Sequence, residues 1–230
     1  MPSDQPSKHA AAVASALSPP KLWAPPPSLL ASSHMTQFAT HVAKKRNLEG
    51  VRFDEPGADP VEAYKRLFAY STDSVSDFWR DVAEYAGVRW SVPPAAYGPM
   101  VDQNARMDSI PEWFADSRLN FAENLLLGPV HAKLDPNACT IIATTEEMQL
   151  EMLTRAQLTV RVRVMAAAFA SAGVVIGDRI GGYTANCVDA VVAMLAAASM
   201  GAVWSSASPD FGVSVREAQG ERNPMMWSWS

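Results

Sequence analysis

Three serines near Trp204 carry hydroxyl groups that could act as nucleophiles: Ser205, Ser206 and Ser208. A catalytic serine needs a neighbouring base, and in many hydrolases it lies in a Gly-x-Ser-x-Gly turn. The sequence has no such turn, and no histidine lies close to Trp204. The serines therefore do not predict a nucleophilic triad.

Two acids, Asp116 and Glu123, flank a leucine-rich turn and could be read as a pair of catalytic carboxylates. Acids in such positions commonly cap a helix or form a salt bridge, which requires no special environment. We assign both residues a structural role.

The sequence contains no recognisable motif for binding a metal ion or a phosphate group. The four histidines lie at positions without the i, i+3 or i, i+4 spacing of a metal site: His9, His34, His41 and His131. The only adjacent glycines, Gly181-Gly182, fall in a predicted strand, and no Gly-x-x-x-x-Gly-Lys-Ser/Thr loop exists to cradle phosphates.

The composition of the chain argues against some classes of binding partner. The net charge of −5 and the lack of a basic stripe argue against nucleic acid. The apolar run from Val188 to Val203 is too short to span a membrane. Cys139 and Cys187 lie far apart in apolar surroundings, so we expect both thiols to be buried and reduced, in a cytoplasmic protein.

The helices and strands that would position a functional site follow different sequence patterns in the earlier and later parts of the chain. Residues 1–21 lack a signal-peptide pattern and are expected to be a disordered tail. From Leu22 to Leu127, proline-rich joints separate helices, and a cap at Ser71 or Ser74 is expected before the second of two apolar stripes. We expect the stripes to be core; they are formed by Met35, Phe38 and Val42, and by Val75, Phe78, Trp79, Val82 and Tyr85.

From Asn137 onward the pattern changes to alternating strands and helices. A β-branched run begins at Cys139, and Thr154 to Gln157 form a capping box that opens a helix ending at Gly173. The residues expected on the buried face of that helix are Leu158, Val162, Met165, Phe169 and Ala172.

A βαβ unit follows this helix. After a turn at Gly177-Asp178, a strand over 179–183, an N-cap at Asn186, an apolar helix Val188–Met200 and a strand Val203–Ser205 are expected. This order predicts an α/β fold with parallel pairing between the two strands. The helix is apolar nearly all round and would be exposed if its packing partners were missing, which favours dimerisation, aggregation or partial order from Asn137 onward.

These segments resemble the adenylate-forming acyl-CoA synthetases, and most closely the acetoacetyl-CoA synthetases among them. The resemblance rests on motifs in the expected order: Trp113-Phe114 with Arg118 to Leu126, Phe78-Trp79, Gly177 to Ile180, Asn186 with Ala190 to Ala196, Gly201 to Ser206, and Ser208 to Gly212. It implies a domain arrangement with an acetyl-CoA synthetase-type N-terminal region at 22–136 and an incomplete AMP-dependent ligase domain at 137–216.

The resemblance also implies a reaction. A complete family member uses ATP with Mg²⁺ to convert acetoacetate to an acyl-adenylate, from which CoA displaces AMP. The motifs that the family uses for ATP and for the catalytic lysine are absent from these 230 residues, so no cofactor is expected for this chain alone. The resemblance places Ser208, Pro209, Asp210 and Phe211 near the CoA nucleotide, whereas the residues themselves are equally explained by a turn starting at Pro209-Asp210.

The segment 217–230 departs from the family pattern. Gly220 and Pro224 forbid a long helix, and Met225 to Ser230 shows no strand alternation followed by a turn. We expect residues 220–230 to be unrelated to the family fold, because the family sequence stops or changes reading frame after Val213. We also expect the chain to be an N-terminal part of a synthetase that is inactive alone. Two alternatives stay open: a non-enzymatic interaction or regulatory module, and the N-terminal part of an acetyl-CoA synthetase-like ligase. The DNA that follows the Val213 codon distinguishes the regulatory module from a fragment of a synthetase. A fragment predicts that this DNA encodes the missing helix and phosphate loop in some reading frame.

Overall fold

The computed structural model describes residues 22–106, 108–128, 135–144 and 148–208, and the backbone of 225–228. The chain forms two compact units, Met1–Asp73 and Ser74–Ser230. Within the described residues, no helix is both long and apolar enough to cross a membrane.

The described part of the first unit, from residue 22 onward, contains three helices: α1 (Pro27–Ser32), α2 (His34–Arg46) and α3 (Pro60–Asp73). Ser33 caps α2 by accepting a hydrogen bond from the Thr36 N–H group, and Asn47 ends the helix in the left-handed conformation.

One of the three residues expected on the buried face of α2 is exposed. Phe38 and Val42 are buried, together with Ala39, whereas Met35 is 44% exposed. Met35 lies on the same side of the helix as Ala39, since residues four apart are neighbours, and its exposure goes with its place in the first turn of α2.

The second unit begins with α4 (Val75–Tyr85), and α5 (Phe121–Leu127) follows after an irregular stretch. The apolar stripe of α4 is only partly core, since Trp79 is 41% exposed and Asp81 is the fully buried residue of the helix. Ser74 occupies the N-cap position but its side chain makes no capping hydrogen bond, and Ser71 lies inside α3. The expected cap position is thus confirmed at Ser74, without a capping hydrogen bond from its side chain.

An antiparallel pair of strands opens the later part of this unit: β1 (Cys139–Thr144) and β2 (Leu150–Thr154). The first strand was expected and the second was not. Thr154 both ends β2 and caps the next helix, α6 (Arg155–Ser171), through the expected capping box with Gln157. Cys139 is exposed, contrary to the expectation of burial, because β1 has few neighbours beyond β2.

The βαβ unit is present as expected. It consists of β3 (Arg179–Tyr183), α7 (Val188–Ser199) and β4 (Val203–Ala207). The strands pair in parallel, with Ile180 opposite Trp204. The N-cap of α7 is Cys187 rather than Asn186, and its side chain makes no capping bond.

The main hydrophobic core lies between α6, α7 and the βαβ strands. Gly173 ends α6 with φ 89°, as expected, but Ala172 is exposed because the chain has already left the helix there. The expectation that α7 would be exposed is wrong, since α6 packs along it. Six of its residues are buried: Val188, Val192, Ala193, Leu195, Ala196 and Ala197.

A fifth strand, β5 (Met225–Ser228), pairs in parallel with β3 and gives the order β4-β3-β5. The expectation that this segment forms no strand is wrong. The far edge of β3 offers unpaired peptide groups, and a short strand in a parallel sheet needs no polar–apolar alternation.

Candidate functional site

The carboxyl edge of the parallel sheet is the place where this fold class binds ligands. Tyr183 and Ala207 end β3 and β4 opposite each other, so Thr184 and Ser208 leave the sheet at the same edge. Ser208 is half-buried. Its predicted neighbours in the site lie outside the described residues: Pro209, Asp210 and Phe211.

The N-terminus of α7 lies next in sequence to this edge. The Thr184 hydroxyl is 3.6 Å from the Cys187 sulfur. Asp189 lies in the first turn of α7, where its negative charge interacts favourably with the helix dipole. The same charge opposes binding of a second anion, so this helix end does not by itself make a phosphate site.

The paired glycines have a structural explanation. A Cβ atom on Gly182 would overlap the indole ring of Trp204, which occupies the space above β3. Gly181 and Gly182 are both buried within the strand. Gly182 therefore allows Trp204 to pack, and the pair lies in a strand and not in a phosphate-binding loop.

The described residues do not fit a resident metal ion. They contain no group of three or more histidine, cysteine, aspartate or glutamate side chains placed to hold one. His34 and His41 both lie in α2. His9 and His131 lie outside the described residues.

The two acids considered as catalytic carboxylates differ in their surroundings. Glu123 forms an ion pair of 3.0 Å with Arg89, as expected for a structural residue. Asp116 lies in a tight turn with φ 61°.

The segment Arg118 to Leu126 holds α5 against α7, a contact that sequence reasoning missed. Asn120 caps α5, and its Nδ2 donates to the carbonyl oxygens of Ala198 (2.9 Å) and Ser199 (3.2 Å) at the end of α7. These carbonyls are among the last four of the helix, which have no partner within it. One asparagine thus satisfies groups on two helices.

Asn124 makes a second set of such bonds. Its Oδ1 accepts from the Arg89 N–H group (2.8 Å), and its Nδ2 donates to the Arg89 carbonyl oxygen (3.0 Å). Asn120 and Asn124 therefore join α5 to the end of α7 and to the segment at Arg89. Two asparagines within five residues, at the start of a short helix, are the sequence signal that could have indicated these contacts.

Comparison with known proteins agrees with this architecture. Residues 64–125 match the family described as acetyl-coenzyme A synthetase N-terminus, and residues 131–219 match the family described as AMP-binding enzyme. The chain is therefore similar in its earlier part to the acetyl-coenzyme A synthetase N-terminus and in its later part to AMP-binding enzymes. It is 44% identical over 150 residues to an acetoacetyl-CoA synthetase of Danio rerio and 42% identical over 153 residues to one of Macaca fascicularis.

A solved structure of acetoacetyl-CoA synthetase from Streptomyces lividans also matches, with a TM-score of 0.69 and 29% identity over 91% of this chain. The Danio rerio and Macaca fascicularis matches cover 65% and 66% of this chain. The chain spans 21% and 22% of the length of those two relatives and 30% of the Streptomyces chain.

Proposed function

We propose that these residues are the N-terminal part of an acetoacetate–CoA ligase. The observation that carries the proposal is the 44% identity over 150 residues to the Danio rerio acetoacetyl-CoA synthetase. In the complete enzyme, ATP, Mg²⁺ and CoA would act with acetoacetate. The part described here would supply the packed α/β layer from which the nucleotide-binding loops extend.

The contribution of this chain would be positional. Asn120 docks α5 on the end of α7, and β3 and β4 present Thr184 and Ser208 at one edge of the sheet. Ser208, Pro209, Asp210 and Phe211 are proposed to line the approach of the CoA nucleotide. The support is the position of Ser208 at the carboxyl edge, where such sheets bind ligands.

A chimera tests the proposal. The aligned 150-residue segment of this chain replaces that of the Danio rerio synthetase. We expect acetoacetate-dependent AMP formation well above that of the same relative with the segment deleted. A chimera that folds but forms no AMP would contradict the proposal.

An acetyl-CoA synthetase-type ligase is the alternative, favoured by the match of residues 64–125 to the acetyl-coenzyme A synthetase N-terminus. A second chimera, built into an acetyl-CoA synthetase, distinguishes the two. The transferred segment must pack on the rest of the recipient enzyme. Higher activity in the acetoacetyl-CoA synthetase would therefore support the acetoacetate ligase, and higher activity in the acetyl-CoA synthetase would support the alternative.

We further propose that a polypeptide of these 230 residues does not catalyse adenylation alone. The support is the absence of a phosphate-cradling glycine loop from the sequence. Purified protein should release no acetoacetate-dependent pyrophosphate and give no ATP isotherm by calorimetry. Micromolar, stoichiometric ATP binding would refute this.

The proposed setting is the cytoplasm, supported by two free cysteines, Cys139 and Cys187. Self-association through an exposed apolar face is proposed as well. Its support is the surface of α6, where Val160 and Val164 are exposed.

A further inference from the structure

A cleft rich in aromatic side chains lies in the second unit, apart from the carboxyl edge of the parallel sheet. Its volume is about 430 Å³, within the range of small-molecule sites. We call it the tryptophan cleft; it is lined by Trp79, Val82, Ala83, Val88, Trp90, Trp113, Phe114, Ser117 and Leu119. The proposed ligase function makes no use of it.

Backbone contacts hold the walls of the tryptophan cleft in place. Isolated antiparallel bridges join Val92 to Arg118 and Val101 to Trp113. The Phe114 N–H group donates to the Met100 carbonyl oxygen at 2.7 Å. The cleft is therefore formed by paired chain segments, and no ligand is needed to assemble it.

Phe114 has an unusual backbone conformation beside the cleft. It has φ 48°, in the left-handed region that side chains other than glycine seldom adopt. Strained residues of this kind cluster at ligand sites, where the surrounding structure keeps them in place.

The aromatic rings provide an apolar surface that remains partly open. Trp79 and Trp113 meet edge to face with centroids 5.7 Å apart, and Trp90 and Phe114 meet at 5.4 Å. Trp79 is 41% exposed and Trp113 is 44% exposed. The aromatic side chains therefore hold one another in place, and Trp79 and Trp113 remain accessible to an aromatic ring of a ligand.

Ser117 supplies the polar group of the cleft. Its Oγ is buried and has no hydrogen-bond partner among the described residues. A buried hydroxyl without a partner is unfavourable, because it has lost its hydrogen bonds to water. Because Ser117 lines the cleft, rotation about its Cα–Cβ bond would turn this oxygen toward a bound ligand, and pairing with the ligand would remove the penalty.

The charge of the lining limits the ligand class further. The described residues that line the cleft include no acid, lysine, arginine or histidine. A charged ligand would lose its hydration without gaining a counter-ion. We propose that the tryptophan cleft binds a small neutral aromatic molecule with one hydrogen-bonding group, of the phenol class, that stacks on the rings and pairs with Ser117.

The experiment compares p-cresol with toluene, two neutral probes that differ by one hydroxyl group. Each is titrated into the full chain and followed by ligand-observed saturation-transfer NMR. We expect saturable binding of both, with p-cresol about three- to tenfold tighter, the range of one net hydrogen bond. Equal affinities, or no saturable binding of p-cresol, would overturn the proposal on the unaltered chain.

Variants identify the residues responsible. Ser117→Ala should lower the affinity for p-cresol to that for toluene and leave toluene unchanged, whereas Trp79→Ala should weaken both probes. Trp23→Ala is the matched control, because Trp23 is an exposed tryptophan outside the cleft. The proposal fails if Ser117→Ala, with an unchanged near-ultraviolet circular dichroism spectrum, binds p-cresol as before, or if Trp23→Ala weakens binding as much as Trp79→Ala.

Discussion

At the scale of single residues, the contact between Gly182 and Trp204 determines how β3 and β4 pack. Gly182 is buried, and the space its Cβ would fill is taken by the Trp204 indole. The ring cannot withdraw freely, since it also packs against the main hydrophobic core. Glycine in this strand is thus required by its neighbour across the sheet and not by its own backbone conformation.

Gly182→Ala should therefore destabilise the chain. Overpacking of a filled core costs about 1–3 kcal/mol, and the urea midpoint should fall with an unchanged m value. In a Trp204→Leu background the same substitution should cost little, because the obstructing ring has gone. An equal cost in both backgrounds would show that the indole is not the cause.

The ion pair of Arg52 with Asp54 gives a second residue-scale prediction. Hydrogen bonds of 3.1 and 3.0 Å from the Arg52 guanidinium lower the pKa of the Asp54 carboxyl. Because the folded pKa is depressed, the stabilisation is present above the unfolded pKa and is lost as pH falls through the folded value. Both groups are solvent-exposed, so the effect on overall stability should be small.

NMR titration of the Asp54 carboxyl checks this prediction. Its midpoint should lie below the ordinary aspartate value and should return toward that value in Arg52→Gln. Lys65→Gln is the control, since Lys65 pairs with Glu62 instead. A midpoint that does not respond to Arg52→Gln would contradict the assignment.

At the scale of elements, α5 depends on α7 for its place in the fold. It has seven residues, too few to be stable in isolation. Asn120 both caps it and binds the last carbonyls of α7. This double role explains how so short a helix is held in a defined position.

Two substitutions at Asn120 separate these roles. Asn120→Ser keeps a capping oxygen but is too short to reach Ala198 and Ser199, so it should cost about 1 kcal/mol for the docking bonds. Asn120→Ala loses the cap too and should cost about 1 kcal/mol more. Denaturant unfolding measures both, and equal losses would mean that the cap contributes nothing.

Elements specified by local signals were predictable from the sequence. The Thr154 and Gln157 capping box, the turn glycines and the order of β3, α7 and β4 each depend on residues close together in the chain. The resemblance to the synthetases likewise rests on short motifs in their order.

Elements specified by distant partners were not predictable. The five residues of β2, Leu-Glu-Met-Leu-Thr, do not alternate regularly between apolar and polar, and β2 exists through its pairing with β1. β5 likewise depends on the free edge of β3. For the candidate site, the family resemblance placed Ser208 just after the βαβ unit, but the docking bonds of Asn120 join residues 78 and 79 positions apart and could not be predicted from local sequence.

At the scale of the whole molecule, the question is which apolar surface remains open to solvent. The buried face of α7 is covered by α6, and one open apolar surface lies along α6 beside it. Val160 and Val164 are 59% and 65% exposed there. They border a groove of about 460 Å³ whose lining includes Met165, Phe169 and Val192.

Charges beside this groove are paired within the chain. Arg161 lies 2.8 Å from the Glu151 carboxylate and 3.8 Å from that of Asp189. An apolar surface next to paired charges does not depend on opposite charge to attract a second copy. Its association should therefore depend weakly on salt.

We expect the chain to self-associate through α6. Burial of one exposed valine contributes about 1.5–3 kcal/mol, so losing one should weaken a dimer markedly. Sedimentation velocity should show a sedimentation coefficient that rises with concentration, and Val164→Glu should shift the species toward monomer. Val61→Glu, at an exposed valine of the first unit, is the matched control and should leave association unchanged. A monomer at every concentration, or an equal effect of both substitutions, would show that the α6 groove is not the contact surface.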